Sequence, residues 1–345
     1  MTSTHPRVVL PRTQGRCSAR LEGLRVRGFA SRPRLLLPEG EDPRVLSAAA
    51  FLSARGWARP VLIGDPGAVT ARAAEQGVSL KGLDIWDAAD PVRRSSGARA
   101  LLEKRRAKGM TEDQAADLLK DPLYQGVMAL SAGEGDLLAA GAVRTTADTV
   151  RAGFAGLGLA QGADIVFGAF LMECPAGSGR LVLFADGAVS PRPSPRGLAA
   201  VAVAAGALFE RWVGEPPRVA FLSFSTRGSA EDESVAAIRH AVEGARKKAP
   251  GLAIDGELQG DAALVDHIAL QKGAADSPVA GRANVLVFPD LNAGNIGYKL
   301  VQHLGGARAI GPVLAGLSRP MTDLSRGCTD EDIVDAAALT ALLAS

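Results

Sequence analysis

Four chemically active side chains, Ser325, Arg326, Cys328 and Asp332, fall in the segment Asp323-Leu-Ser-Arg-Gly-Cys-Thr-Asp-Glu-Asp-Ile-Val334. It lies directly before an apolar helix. Side chains of these types can bind anions, attack, or carry protons. A local alternative exists. Thr329 with Asp332 three residues later fits a capping box, and Asp330 and Glu331 suit the positive end of a helix dipole. That cap does not require Ser325, Arg326 or Cys328.

Two more segments place hydroxyls beside arginine before a helix. In Gly141-Ala-Val-Arg-Thr-Thr-Ala-Asp-Thr-Val-Arg151, Thr145 and Thr146 precede a helix that carries Arg151 one to two turns further on. Such a helix N-terminus can hold phosphate. An ordinary Thr cap with a solvated arginine reads equally well. Ser223-Phe-Ser-Thr-Arg-Gly-Ser229 lies between the strongest strand and a helix, so Ser223, Ser225 and Thr226 stand where ligands bind in open α/β sheets. Glu231 and Asp232 in the first helical turn oppose phosphate there, and Ser229 with Asp232 fits another cap. Asp255 to Asp261 puts three acids after a strand. The segments 276–282 and 289–295 are loops flanking the buried run 284–288.

Several chemistries lose ground. The chain has no GxxxxGK phosphate loop, GxSxG elbow or HExxH zinc helix. Gly156, Gly158 and Gly162 give GxGxxxG, which misses the dinucleotide fingerprint by one residue. The four histidines are scattered, so no metal site is expected. The three cysteines, 17, 174 and 328, form no close pair, which fits a reducing compartment. A net charge of +2 gives no warrant for nucleic acid or an acidic membrane as partner. The weakly polar stretch 197–209 is shorter than the roughly 18 apolar residues that span a bilayer.

The elements that must position these residues alternate in kind. Strands are predicted at 34–37, 60–64, 136–140, 164–167, 181–185, 218–223 and 284–288. Helices are predicted at 44–55, 93–108, from Thr111 (with Gln114 closing a capping box), 230–248, 261–270, 292–304 and 330–343. Such alternation implies parallel βαβ units and an α/β fold. A chain of 345 residues favours two domains, at about 150 residues each. Residues 1–34 carry eight arginines against Glu22 alone. This start reads as a short disordered extension and a basic first helix, with an organelle transit peptide as the alternative.

Together the segments resemble the phosphate acetyltransferase (phosphotransacetylase) family. The matching blocks are Leu37-Pro-Glu-Gly-Glu-Asp42, Gly141-Ala-Val with Thr145 to Arg151, Phe184-Ala-Asp186 and Ser223 to Thr226. They continue with Asp255-Gly-Glu-Leu-Gln259, Asp276 to Gly281, Phe288-Pro-Asp-Leu-Asn292, Gly294-Asn-Ile296 and Asp323 to Cys328. The resemblance runs from about Leu21 to the C-terminus. It implies two three-layer α/β domains with mainly parallel sheets and an interdomain cleft, in a homodimer. The expected division is 21–156 plus 316–345 and then 157–315, with 1–20 as a disordered extension.

The activity implied is reversible acetyl transfer between acetyl phosphate and coenzyme A, a reaction of acetate metabolism. Coenzyme A is a substrate, no cofactor is bound and no metal is needed. Acetyl phosphate, phosphate and coenzyme A are the expected partners, and the cytoplasm is the expected location, or an organelle if the start is a transit peptide. Position by position, the resemblance makes Asp332 the base for the thiol and Arg326 the holder of acetyl phosphate. It makes Ser325 a hydrogen-bonding neighbour, Arg151 a second anion-binding arginine and Arg105 a third near the coenzyme. Thr145, Thr146, Ser223, Ser225, Thr226, Cys328 and His303 complete the expected substrate and coenzyme contacts.

A free thiol has a pKa near roughly 8.5 and attacks as thiolate, so a base must lie within reach. A helix N-terminus should lower the pKa of Asp332, which works against that role. Three departures from the family pattern stand out. His303 replaces a common arginine, Arg144 a usual histidine, and Ala140 a usual serine. Two other readings are an acyltransferase for longer groups such as butyryl, and a catalytically silent acetyl-CoA sensor like the domain attached to some malic enzymes.

Overall fold

The structure is a computed structural model that describes residues 17–344. The strands are β1 (Arg34–Leu37), β2 (Arg59–Gly64), β3 (Asp84–Asp87), β4 (Leu137–Ala140), β5 (Phe167–Glu173), β6 (Leu181–Ala185), β7 (Arg218–Leu222), β8 (Ala253–Leu258), β9 (Val285–Val287), β10 (Arg308–Ala315) and β11 (Met321–Asp323). The helices are α1 (Ala19–Gly28), α2 (Pro43–Ala54), α3 (Pro66–Gln76), α4 (Pro91–Arg105), α5 (Glu112–Leu118), α6 (Pro122–Ser131), α7 (Thr146–Gly156), α8 (Pro195–Val213), α9 (Glu233–Lys248), α10 (Gly260–Leu264), α11 (Asp266–Gln271), α12 (Leu291–His303) and α13 (Asp330–Ala341). The described residues form two compact units, 22–161 with 317–344, and 17–21 with 162–316.

In the first unit the strand order is β3-β2-β1-β4-β11, and every pairing is parallel. Leu35 and Leu37 face α2 and α13, where Val45, Leu46, Leu52, Ile333, Val334 and Ala337 close one core. Helices α6 and α7 pack on the other side. Each fully buried leucine contributes about 1.5–3 kcal/mol. Prolines begin α2, α3, α4 and α6 after aspartate caps at 42, 65, 90 and 121, so each chain reversal is written locally. The expected basic first helix is more than a solvated arm. Arg25 of α1 is buried against Glu331 and Asp335 of α13, at 2.7 and 2.5 Å.

In the second unit the order is β10-β5-β6-β9-β7-β8. Strand β5 runs antiparallel to both β10 and β6, and the other pairings are parallel. Helix α8 buries Phe209 and Trp212. Met172, Phe184, Ala220 and Leu286 join Ala263, Val279 and Tyr298 in a second core.

Several expectations need correction. The strand placed at 164–167 begins only at Phe167 and runs to Glu173. Ser229 is not the cap of α9. Asp232 takes that place, and Ser229 Oγ instead accepts from the Thr226 N–H. The helix expected at 261–270 breaks at Val265 into α10 and α11. Asp255 and Glu257 do not follow a strand but lie within β8. Ala19 and Arg20 of the expected extension already belong to α1, and residues 1–16 lie outside the described residues.

Candidate active site

Three loops at the carboxyl ends of β1, β4 and β11 meet in the first unit. The loop after β1 carries Glu39, and its carboxylate accepts four successive backbone N–H groups from the loop after β4. Oε2 takes Gly141 and Ala142 at 3.0 and 2.8 Å, and Oε1 takes Val143 and Arg144 at 3.0 and 2.9 Å. These N–H groups point the same way because the chain turns at Gly141, whose φ is +107°. A Cβ there would lie 2.5 Å from both Asp323 Oδ1 and the Leu324 carbonyl, so only glycine fits.

Arg44, in the first turn of α2, ties all three loops together. Its Nε and Nη2 hold the Asp42 carboxylate at 3.0 and 2.8 Å. Nη2 also donates to the Ala142 carbonyl, and Nη1 to the carbonyls of Arg326 and Cys328, at 2.7, 2.7 and 3.1 Å. Burial pushes the Asp42 carboxyl up, but the Arg44 guanidinium and two N–H groups bring it below its ordinary value. Neither Glu39 nor Arg44 was singled out from the sequence as a site residue. Glu39 sits in the block 37–42, yet its partners lie about a hundred positions away.

The clamped loop after β11 presents Ser325 and Arg326 to solvent. Thr329 caps α13, and the capping box is complete. Asp332 N–H donates to Thr329 Oγ1 at 3.1 Å, and Asp332 Oδ2 accepts from Thr329 N–H at 2.8 Å. Cys328 is buried. Burial pushes its thiol up to about 12, Arg44 offsetting this in part while Asp332, Asp42 and Glu39 add to it. A thiol so placed is not a ready nucleophile.

Thr145 caps α7 by accepting from Asp148 N–H at 3.2 Å and donating to Asp148 Oδ2 at 2.7 Å. Thr146 is exposed in the first turn. Arg151 reaches back to Asp148 at 2.9 Å with its side chain 66% exposed, so the guanidinium is available to an incoming anion. The Thr145 hydroxyl bond holds the exposed Asp148 carboxyl below its ordinary value. Arg105 ends α4, and both it and Arg151 lie close enough to Tyr124 to act on its phenol. Arg144 pairs with Asp121 at 2.9 Å, which gives this departure from the family pattern a structural partner.

The remaining expected residues belong to the second unit. Ser223 is half-buried at the end of β7. Ser225 and Thr226 are buried and bonded internally, Ser225 Oγ to Glu257 at 3.0 Å and Thr226 Oγ1 to Gln259 at 3.2 Å. Burial pushes Glu257 up, but Arg239 and the hydroxyl and N–H donors of the loop overcome it and bring the carboxyl down to about 2. His303 is exposed at the end of α12. Among the described residues no cluster of three or more His, Cys, Asp or Glu is placed to hold a metal ion, and no helix is long and apolar enough to cross a membrane.

Comparison with known proteins adds to this geometry. A family described as phosphate acetyl/butaryl transferase matches residues 23–341. The chain is 45% identical over 318 residues to the phosphate acetyltransferase of Thermoanaerobacterium thermosaccharolyticum, covering 91% of this chain and 96% of that one. It is 46% identical over 312 residues to the phosphate acetyltransferase of Paracoccus denitrificans, covering 89% and 94%. A phosphotransacetylase structure from Streptococcus pyogenes superposes with a TM-score of 0.87 at 38% identity, covering 94% of this chain and 98% of that one.

Proposed function

The chain belongs to the phosphate acetyl/butaryl transferase family, and from that premise we propose how its residues carry out phosphate acetyl transfer. The reaction exchanges an acetyl group between acetyl phosphate and coenzyme A. The observation that carries the assignment of roles is the single clamp. Arg44 and Glu39 bring the Ser325–Asp332 loop and the loop that leads into α7 onto one support.

In this reading the thiol of coenzyme A loses its proton to Asp332 and the sulfur attacks the acetyl carbonyl. The carbonyl oxygen becomes an oxyanion and phosphate departs. Arg326 and Ser325 donate to the anionic oxygens as charge grows on them. Arg151 and the hydroxyls of Thr145 and Thr146 take the phosphate group at the α7 N-terminus, where the dipole favours negative charge. Arg105 serves the coenzyme. Holding both substrates on fixed loops supplies much of the rate by proximity. Cys328 packs behind the loop in this scheme. Ser223 and His303 are offered as coenzyme contacts of the second unit, with Ser225 and Thr226 shaping the turn that carries Ser223.

The expected division into a discontinuous first domain, 21–156 with 316–345, and a middle domain of 157–315 is kept as a proposal. Coenzyme A enters as a substrate and no bound cofactor is assigned. We place the enzyme in the cytoplasm, a reading supported by Cys174 and Cys328, which form no disulfide. A homodimer is supported by α12 and the residue that follows it: Ile296, Leu300 and Leu304 recur every four residues and are 57%, 51% and 83% exposed. An apolar stripe of this kind marks an interaction surface.

The test is thioester formation from purified protein, coenzyme A and acetyl phosphate, with butyryl phosphate in parallel. Rapid turnover of acetyl phosphate that is lost in Arg326→Ala is the expected result. Saturable acetyl-CoA binding without turnover would make the chain a sensor instead.

A further inference from the structure

Asp323 ends β11, two residues before Ser325, and is 1% exposed. Neither carboxyl oxygen makes a fully formed hydrogen bond among the described residues. Unpartnered buried carboxyls are rare because the charged form loses its hydration with nothing in exchange. Burial pushes this one up to about 6. The hydroxyls of Thr146 and Thr149 on α7 act against that rise, and the negative charge of Glu39 adds to it. Gly141 packs close against Oδ1, where a Cβ would come within 2.5 Å. Asp323 thus lies behind the first turn of α7, while Thr146 is exposed on the outer side of that turn.

We propose that Asp323 is a positioning residue that couples proton uptake to anion binding at the α7 N-terminus, acting through the hydroxyl of Thr146. The proposal rests on the reading of that N-terminus as the phosphate subsite. A threonine hydroxyl has one proton to give and two lone pairs to accept with. When Asp323 is ionised, the Thr146 proton turns inward to the carboxylate, and lone pairs face the incoming anion. When Asp323 is protonated, it donates to Thr146 Oγ, and the Thr146 proton turns outward to a phosphate oxygen. One proton taken up inside becomes one donor outside. Thr149 is less suited to this exchange because its hydroxyl already donates to the Thr145 carbonyl at 3.2 Å.

The charged neighbours do not supply the same effect. Asp148 lies below its ordinary value and stays ionised, and burial raises Tyr124 and keeps it neutral. Glu39 already accepts four N–H groups.

The experiment measures sulfate as an inhibitor competing with acetyl phosphate, using the full chain. Sulfate keeps its charge between about pH 5 and pH 8, so a slope in its inhibition constant reports on the protein. For the unaltered enzyme the constant is expected to rise about tenfold over that range. In Asp323→Asn the slope should vanish. The amide donates to Thr146 at every pH, so this variant should bind sulfate more tightly than the parent at pH 8. A merely structural lesion would not produce that gain. Thr146→Val keeps the buried carboxyl and provides a second arm; it should bind sulfate more weakly and without a slope. Sulfate that does not compete with acetyl phosphate would overturn the phosphate-subsite reading and the coupling with it. Competition with an equal slope in all three proteins would overturn the coupling alone.

Discussion

Arg44 donates from Nη1 to the backbone carbonyl of Arg326 at 2.7 Å across 282 positions of sequence. The residue proposed to hold acetyl phosphate is therefore fixed through its main chain, leaving its side chain for the substrate. The same guanidinium reaches the loop before α7. Arg44→Ala should release both loops and lower kcat about a hundredfold, the cost of a displacement near 1 Å at a reacting centre. Arg44→Lys keeps the charge but not the planar fork, so it should fall between. Steady-state kinetics would check this, and an unchanged kcat in Arg44→Ala would remove the clamp from the mechanism.

Asp332 occupies two roles that one substitution can separate. Its carboxylate closes the capping box of α13 and is also the proposed proton acceptor. Asparagine can still accept from Thr329 N–H but cannot take a proton. Asp332→Asn should keep the thermal midpoint of the parent while kcat drops by about 10²–10⁴. Asp332→Ala should show the same kinetic loss and a further stability loss of about 1 kcal/mol from the missing cap. A kcat near the parent value in Asp332→Asn would leave only the cap.

These relationships mark where sequence reading reached and where it stopped. Leu35 to Leu37 and Val219 to Leu222 are short apolar runs, and both became central parallel strands. The Thr111–Gln114 and Thr329–Asp332 boxes were legible because both partners lie three residues apart. Strand β10 was missed because Gly311-Pro312 interrupts its apolar pattern, and the register shifts there. Ser225 and Thr226 lie in a turn that looked open to ligand, yet their hydroxyls face Glu257 and Gln259, more than thirty positions on. Glu39 and Arg44 bond to backbone groups, and a backbone partner leaves no trace in residue types. Asp323 lay in plain sight beside Ser325, but only packing distinguishes a buried carboxyl from a solvated one.

The α12 stripe makes a test of the proposed dimer. Leu300→Asp with Leu304→Asp places two charges on a face that should be covered in the assembly. Sedimentation is expected to give a dimer for the parent chain and a monomer for the double variant. Because both side chains are largely exposed within one chain, the variant should still fold. A parent chain that sediments as a monomer would withdraw the dimer.

Asp323 also carries a stability signature that needs no substrate. Its carboxyl lies at about 6 in the folded chain against an ordinary 3.8. An acid raised on folding binds its proton more tightly in the native state. Below the ordinary value both states are protonated and the group is neutral to stability. As pH rises from about 4 to 6, the unfolded chain ionises freely while the folded chain resists, so stability falls. Above about pH 6 the loss is complete, at about 3 kcal/mol. Asp323→Asn removes the titration, although the buried amide leaves part of its hydrogen-bonding capacity unused beyond the bond to Thr146, at a cost of about 1–2 kcal/mol. Urea unfolding of both proteins at about pH 4.5 and 7.5 should therefore show the variant gaining on the parent as pH rises. A stability difference that stays the same at both pH values would mean that Asp323 does not titrate in this range.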